Sequence, residues 1–285
     1  MKIKVFLSRV FASLAYRDIP VASWLARQLQ FMDDFDWSSY ADSEDYESTV
    51  GPFGSDFETA FTISLKGSKS RPKAGEDHSS VLETPILYPT HSLLVDVASR
   101  LEVTSAFEFG FGSGAHILNL WQALEKPQLG GADISSRMME KAIDRFSTIE
   151  FSESAKPNLI VNDMTMDRSR FAVDQKYELV YCHQVLLHIH RPGAAINFLK
   201  NMYEVSSRYI LLIENVYRHN LCSLIRRVMP QMRCYYVANK YSNALLIDKK
   251  NALDLPILTN DRELRKKTSH VEDNFLRFIS QVQAK

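Results

Sequence analysis

The sequence predicts an α/β protein with a doubly wound, mostly parallel sheet that closes with an antiparallel hairpin. After Ser105, apolar residues alternate regularly between the two-residue period of strands and the 3.6-residue period of helices. A glycine-rich turn follows the first of these strands directly. The last two strand-like runs are joined by a connection too short for a parallel crossover, so they should pair antiparallel. Apolar residues at helical spacing before this alternation add an N-terminal helical cap to the prediction.

Length and composition favour one large domain, or one domain with a cap. The chain has 285 residues, of which 45% are hydrophobic and 24% charged, enough to bury a full core. Its 34 basic and 34 acidic residues balance, so no overall field would attract nucleic acid or an anionic membrane. Small-molecule partners are therefore expected, without nucleic acid or membrane.

The cysteines and the hydropathy pattern indicate a cytoplasmic protein. Cys182, Cys222 and Cys234 are too few and too scattered for a disulfide framework, which favours a reducing compartment. No apolar run approaches the roughly 18 residues that a membrane span needs. The first 17 residues carry four basic side chains and no acid, so an organelle-targeting segment remains an alternative to a capping helix.

Three regions are predicted along the chain. Residues 1–83 form a helical and acidic cap with a linker, in which the acidic, aromatic stretch Asp33–Glu58 is interpreted as a surface loop rather than a substrate lid. The linker is Lys66–Ser80, which is poor in large apolar residues. Residues 84–250 form the main domain, and residues 251–285 a charged tail with an amphipathic helix near Val271–Val282.

Within the main domain the expected elements follow from periodicity and from proline and glycine positions. Helices are predicted at Pro85–Leu101, His116–Leu124, Ser136–Phe146, Pro192–Val205 and Leu221–Val228. Strands are predicted at Ser105–Phe109, Gly130–Ile134, Pro157–Asp163, Tyr177–Val185 and Arg208–Asn215, followed by the hairpin of Cys234–Ala238 and Ala244–Asp248.

The glycine-rich turn has the composition of a cofactor-binding loop. Gly110, Gly112 and Gly114 lack a Cβ, so the chain can adopt positive φ and its amides can approach a ligand closely. The helix that follows would point its N-terminus at that ligand. Glycines that serve only a sharp strand-to-helix reversal are the alternative, because a glycine-rich loop alone is weak evidence.

Two acidic residues should meet this loop, because the carboxyl ends of parallel strands share one edge of the sheet. Asp133 ends the second strand at a spacing from the glycines where a carboxylate commonly accepts ribose hydroxyls. Asp163 and Met164 end the third strand, where they would bind an adenine amine and cover its ring. The three strand ends together indicate an adenosine-containing ligand, although each acid alone would equally suit a helix N-cap.

Two adenosine cofactors compete for this loop. Gly110-Phe-Gly-Ser-Gly-Ala115 also satisfies the dinucleotide fingerprint, which requires an acid about 20 residues further on. Four features of the context count against a dinucleotide. Glu108 precedes the first glycine by two residues, a third-strand acid is present, only five parallel strands are visible, and the chain closes with a hairpin.

On these residues the chain resembles the class I S-adenosylmethionine-dependent methyltransferases, over roughly Thr84 to Lys250. Glu108-Phe-Gly-Phe-Gly-Ser-Gly114 is similar to their first motif. The resemblance implies a Rossmann-like methyltransferase fold with S-adenosylmethionine (SAM) as cofactor, its methionine part at the glycine loop, its ribose at Asp133 and its adenine at Asp163 and Met164. The full set of residues expected to bind the cofactor is Glu108, Gly110, Phe111, Gly112, Gly114, Asp133, Ile134, Asp163, Met164, Cys182 and His183.

A fainter resemblance concerns the acceptor. Val185-Leu-Leu-His-Ile189, with the strand from Arg208, is similar to methylases associated with bacterial surface-sugar synthesis. It implies a sugar or nucleotide-sugar acceptor. The first 80 residues match no family pattern.

His183 and His188 are the predicted catalytic residues. Methyl transfer from a sulfonium is an in-line displacement that needs alignment, plus a base where the acceptor is a hydroxyl. Either histidine, at or just beyond the end of the fourth strand, could be that base, or else a loop histidine bonded to backbone. Glu214, at the end of the fifth strand, would orient the acceptor or cap the next helix. His188 and His190 lack a visible third ligand, so no metal is expected.

The sequence thus predicts a SAM-dependent methyltransferase acting on a small molecule. An NAD(P)-dependent oxidoreductase and a non-catalytic partner protein with a methyltransferase fold are the alternatives.

Overall fold

The computed structural model describes residues 61–66, 81–86, 89–147, 156–171, 173–189, 192–214, 220–239 and 242–268. For residues 61–66 and 81–86 it describes the backbone. The predicted N-terminal helices, the acidic stretch and the helix near Val271–Val282 lie outside these residues.

A seven-stranded sheet is the centre of the described structure. Its strands are β3 (Ser105–Phe109), β4 (Gln128–Asp133), β5 (Asn158–Val161), β6 (Tyr177–His183), β7 (Ser206–Ile213), β8 (Arg233–Ala238) and β9 (Asn243–Asp248). Two earlier strands, β1 (Phe61–Lys66) and β2 (Val81–Ile86), form a separate two-stranded sheet. The helices are α1 (Ser92–Arg100), α2 (Ala115–Ala123), α3 (Ser136–Ser147), α4 (Pro192–Val205) and α5 (Leu221–Val228), and residues 261–268 are also helical. Short 3₁₀ turns occupy Pro89–His91 and Leu186–His188.

The strand order in the sheet is β5-β4-β3-β6-β7-β9-β8. Strands β3 to β7 are mutually parallel, whereas β9 pairs antiparallel with both β7 and β8. The order reverses between β3 and β6, which is the switch point where open α/β sheets bind their ligands. The predicted doubly wound, Rossmann-like fold closed by an antiparallel hairpin is therefore confirmed.

Helices cover both faces of this sheet because its parallel strands are buried on both sides. On one face, alternate residues such as Phe107 and Val180 pack with apolar side chains of α4 and α5. On the other, Ala106 and Leu179 pack with side chains of α1 and α2. Side chains of one strand alternate between the two faces, so Glu108 and Tyr181 lie on the α1 and α2 side.

The entry into the main domain differs from the prediction. The helix expected over Pro85–Leu101 begins only at Ser92, and Pro85 and Ile86 belong to β2, which pairs antiparallel with β1. Pro85 and Pro89 explain the difference, because proline lacks the backbone N–H of a helix interior and disfavours helical geometry in the residue before it. This pairing joins segments on both sides of the predicted linker.

Part of the predicted charged tail, in the residues that follow β9, is anchored to the domain. The carboxylate of Asp261 accepts hydrogen bonds from the N–H groups of Cys222 at 2.8 Å and Ser223 at 3.1 Å, at the start of α5. Leu258 and Leu264 are buried in the core beside α4 and α5. Within the described part of the chain, no helix is long and apolar enough to cross a membrane.

Candidate active site

The glycine loop contains one position that is open and two that are closed by packing. Gly110, Gly112 and Gly114 have φ values of 79°, 52° and 75°. A Cβ on Gly110 would lie 2.5 Å from Val185 Cγ2, and one on Gly114 would lie 2.7 Å from Phe146 Cζ. A Cβ on Gly112 would meet no atom of the described residues within 4 Å. Protein packing therefore requires the first and third glycines, while the second leaves room for a ligand to approach the backbone.

Asp133 joins this loop to the end of β4. Its Oδ2 atom accepts a hydrogen bond from the N–H of Gly112 at 2.9 Å, and its Oδ1 atom accepts one from the N–H of Ser135 at 2.9 Å. Burial raises the pKa of Asp133 to about 6. A carboxylate has about four lone-pair sites, so two backbone bonds leave capacity for ribose hydroxyls.

The end of β5 brings Asp163 to the same edge of the sheet. Its Oδ1 atom accepts hydrogen bonds from the backbone N–H and the hydroxyl of Thr165, at 2.8 and 2.6 Å. The Met164 side chain lies in the core beside α4, whereas Ile134, next to Asp133, is 46% exposed. Ile134 thus offers more apolar surface to a ligand ring than Met164 does. The assignment of these residues to adenine stays a prediction.

Two further residues of the expected cofactor set are enclosed by protein. Phe111 is buried between the sheet and the α1 and α2 layer, and its carbonyl accepts a hydrogen bond from the N–H of Gly114 at 2.9 Å. Cys182 is fully buried on the opposite face. Both side chains therefore belong to the protein packing around the site and not to the surface that a ligand would contact.

Glu214 has a role that the sequence did not indicate. Its Oε1 atom accepts hydrogen bonds from the N–H groups of Val185 at 2.8 Å and Leu186 at 2.9 Å, and from the thiol of Cys182 at 3.3 Å. This carboxyl therefore holds the turn that follows β6 rather than capping the helix after β7. Burial raises its pKa to about 7.

The predicted catalytic histidines lie at the two ends of the segment from the end of β6 to the end of this turn. His183 is the last residue of β6 and is half-buried, and His188 ends the 3₁₀ turn after it. The His183 ring centroid lies 4.6 Å from that of His116 and 5.7 Å from that of His91. Burial lowers the pKa of His183 well below its ordinary value, and the neighbouring His116 adds to that effect.

His116 and His91 were not identified from the sequence. Their rings lie 3.7 Å apart, between centroids, on the face that α1 and α2 cover. His116 Nδ1 lies 2.8 Å from Glu108 Oε1, and Asn119 Nδ2 lies 2.8 Å from His91 Nδ1. The one available signal was that His116 follows the glycine loop on a helix predicted to face the site.

Glu108 is fully buried beneath the loop and contacts His116 rather than solvent. The hydroxyl of Tyr181 donates a hydrogen bond of 3.2 Å to its Oε2 atom. Burial raises the pKa of Glu108 well above its ordinary value and lowers that of His116 to about 3. Burial therefore favours the uncharged form of both side chains.

The structure brings the glycine loop, Asp133, Asp163 and His183 to one edge of the sheet, as expected for strand ends at a switch point. His190 lies outside the described residues. Among those that are described, no three His, Cys, Asp or Glu side chains are arranged to hold a metal ion.

Comparison with known proteins identifies this domain. Residues 106–208, from β3 into β7, match the family model of a methyltransferase domain. The family predicted from the glycine loop is thereby confirmed: the chain contains a class I SAM-dependent methyltransferase domain. No curated protein matches the chain.

Solved methyltransferases are similar to part of the chain. Magnesium protoporphyrin IX methyltransferase from Synechocystis PCC 6803, with bound SAH, is 17% identical with a TM-score of 0.41, over 56% of this chain and 80% of that one. N-methyltransferase NodS from Bradyrhizobium japonicum WM9 is 14% identical with a TM-score of 0.42, over 56% and 95%. CalS10 from Micromonospora echinaspora, a SAM-bound amino pentose methyltransferase, is 17% identical with a TM-score of 0.35, over 45% and 52%.

Proposed function

We propose that this protein transfers a methyl group from SAM to a small-molecule acceptor. The observation that carries the proposal is the open backbone at Gly112, held by its hydrogen bond to Asp133 at the switch point of a methyltransferase domain. A ligand that approaches Gly112 would also reach the carboxylate of Asp133.

The residues at this edge fit SAM. Gly112 leaves space for the methionine part, Asp133 has acceptor capacity for the ribose hydroxyls, and Asp163 with the exposed Ile134 suits the adenine. When bound, SAM supplies a methyl group on a positively charged sulfur. The chain's own task is to align an acceptor with that group and to keep water away, because in-line displacement depends mainly on geometry.

His183 is the best-placed residue on the acceptor side. It ends β6 next to the glycine loop, and its ring packs edge to face on the rings of His91 and His116. Because burial lowers its pKa, the imidazole is neutral at physiological pH and can accept a proton from a hydroxyl. We therefore favour an acceptor that is methylated on oxygen.

A sugar or a nucleotide sugar is the acceptor class that we propose. Its support is the resemblance of Val185–Ile189 to methylases associated with surface-sugar synthesis, in the turn that Glu214 holds beside His183. A neutral histidine is suited to a sugar hydroxyl, which is uncharged before transfer. The balanced net charge of the chain supports a small-molecule partner, without nucleic acid or membrane. Its three cysteines are free, which supports the cytoplasm as the proposed location.

Isothermal titration calorimetry with SAM, S-adenosylhomocysteine and NAD tests the cofactor. We expect both adenosyl ligands to bind and NAD not to bind. Binding of NAD alone would favour an oxidoreductase, and binding of none would favour a non-catalytic partner protein. Methyl transfer from labelled SAM to a panel of nucleotide sugars, with matched amino sugars, then tests the acceptor. Transfer only to amines would contradict the hydroxyl assignment.

A further inference from the structure

A buried chain of polar contacts runs beneath the glycine loop to His183. Tyr181 donates to one carboxyl oxygen of Glu108, and the other oxygen lies 2.8 Å from His116 Nδ1. Glu108 has no exposed surface and His116 is 8% exposed, so water does not compete for these contacts. The carboxyl oxygen at ion-pair distance from Nδ1 and the rings of His91 and His183 packed against the imidazole together restrict the rotation of His116.

A second set of contacts holds the ring of His91. Asn119 lies on α2, one turn after His116, and its Nδ2 atom is 2.8 Å from His91 Nδ1. His91 is 6% exposed and overlaps His116 with 3.7 Å between ring centroids. The two held imidazoles form a wall, here named the histidine wall, against which His183 packs edge to face at 64° and 75°.

We propose that His116, held by Glu108, and His91, held by Asn119, are positioning residues that fix the imidazole of His183 toward the acceptor. The inference rests on the proposed function, in which His183 takes the acceptor's proton. A wall of two imidazoles has a consequence that an aliphatic wall lacks, because a proton on any of the three rings would disfavour a proton on the others.

The groups around His183 agree with that consequence. The rings that contact His183 are His91 from the 3₁₀ turn and His116 from α2. Behind His116 lie Glu108 from β3 and Tyr181 from β6, while Arg145 on α3 acts on both wall histidines. Burial lowers the pKa of all three histidines, and their mutual repulsion adds to it for His91 and His183. His183 is thereby kept neutral, as a proton acceptor must be.

Nuclear magnetic resonance of the cofactor-free full chain, labelled with ¹⁵N-histidine, tests this directly. Long-range ¹H–¹⁵N spectra report the tautomer and the pKa of each imidazole, and His183→Gln assigns the signal. In the wild type we expect one dominant tautomer and a lowered pKa for His183. In His116→Gln, whose amide can still donate to Glu108, we expect that pKa to rise by about one unit and the tautomers to mix.

Glu108→Gln should produce a smaller change of the same kind, because His116 keeps a partner but loses the carboxyl. The matched control is Asp248→Asn, another fully buried carboxyl, whose oxygens accept N–H groups of Lys250 and Ala252. The control should leave the His183 signal unchanged. An identical His183 tautomer and pKa in wild type, His116→Gln and Glu108→Gln would overturn the proposal.

Kinetics separate this inference from the proposed function. Once an acceptor is known, His116→Gln should lower kcat about tenfold, with KM for SAM changed less than about twofold. The acidic limb of its pH profile should move upward together with the His183 pKa. If His183→Gln keeps the full rate while the resonance changes appear, the base assignment fails and the positioning contact stands.

Discussion

The backbone N–H of Gly112 donates a 2.9 Å hydrogen bond to Oδ2 of Asp133, which ties the one open position of the glycine loop to the end of the next strand. The bond crosses from the β3 turn to β4, so the loop does not depend on its own glycines alone for its shape. The other carboxyl oxygen of Asp133 accepts a hydrogen bond from the N–H of Ser135, just before α3 begins. Asp133 thus orders the loop as well as offering acceptors to a ligand.

Replacing Asp133 with alanine should weaken SAM binding by on the order of 2 kcal/mol, or about 30-fold in Kd. The loss combines a charge-assisted hydrogen-bond partner of the ribose with the anchor of the Gly112 amide. Calorimetry with S-adenosylhomocysteine measures it. Asp133→Asn keeps an acceptor oxygen and should fall between wild type and Asp133→Ala. An unchanged affinity for Asp133→Ala would remove this residue from the ribose site.

Gly112→Val should abolish cofactor binding while the domain still unfolds cooperatively. A Cβ there meets no atom in the described part of the chain, so the valine side chain should fill the space of the ligand. The positive φ of 52° adds about 1 kcal/mol of backbone strain. Gly193→Val is the matched control, because a Cβ there also has none of the described atoms within 4 Å. Calorimetry and thermal unfolding of both variants provide the comparison. Normal binding by Gly112→Val would make the loop purely structural.

Much of the fold was predictable because its elements have strong local periodicity. The bounds of α4 and α5 agree with the prediction, since Pro192 suits a first helical position and apolar residues then recur at helical spacing. The β8 and β9 hairpin followed from its short connection. The start of α1 was wrong because apolar residues near Pro85 fit a strand as well as a helix, and pairing with β1 decides between them.

The site was predictable where it depends on strand ends and was missed where it depends on tertiary packing. Asp133 and Asp163 could be placed because parallel strands bring their carboxyl ends together. His91 and His116 lie on separate elements, and no local pattern shows that their rings stack. Glu214 could be placed at the end of a strand from the sequence. Its hydrogen bonds to the turn after β6 could not be predicted, because they depend on where the neighbouring strand ends in space.

Glu214→Gln should make the stability of the protein less dependent on pH. Burial raises the pKa of Glu214 from its ordinary 4.5 to about 7, so between these values the folded state holds a proton that the unfolded state has lost. That contribution is fully present below about pH 4.5 and is lost as the pH rises through about 7. It amounts to at most about 3 kcal/mol.

Denaturant unfolding at a series of pH values measures this effect. The wild-type free energy of unfolding should include a fall over that range which the glutamine variant lacks. The glutamine oxygen can still accept the N–H groups of Val185 and Leu186, so the turn should persist. A variant whose stability keeps the full wild-type pH slope would show that Glu214 ionises normally in the folded protein.

His183→Ala should lower the rate of methyl transfer to a hydroxyl acceptor by roughly 100-fold or more, with little change in cofactor affinity. As a base, His183 must be neutral, so the wild-type rate should rise with pH through its pKa. Because burial lowers that pKa, this acidic limb should lie below the value of about 6.5 that an ordinary histidine gives. Single-turnover transfer by the wild type, His183→Ala and His188→Ala, from about pH 5 to about pH 9, compares the two candidates. The histidine that acts as the base should lose the limb when replaced, and its position beside the histidine wall favours His183 over His188. If both variants keep nearly the full rate and the same profile, the site works by alignment alone.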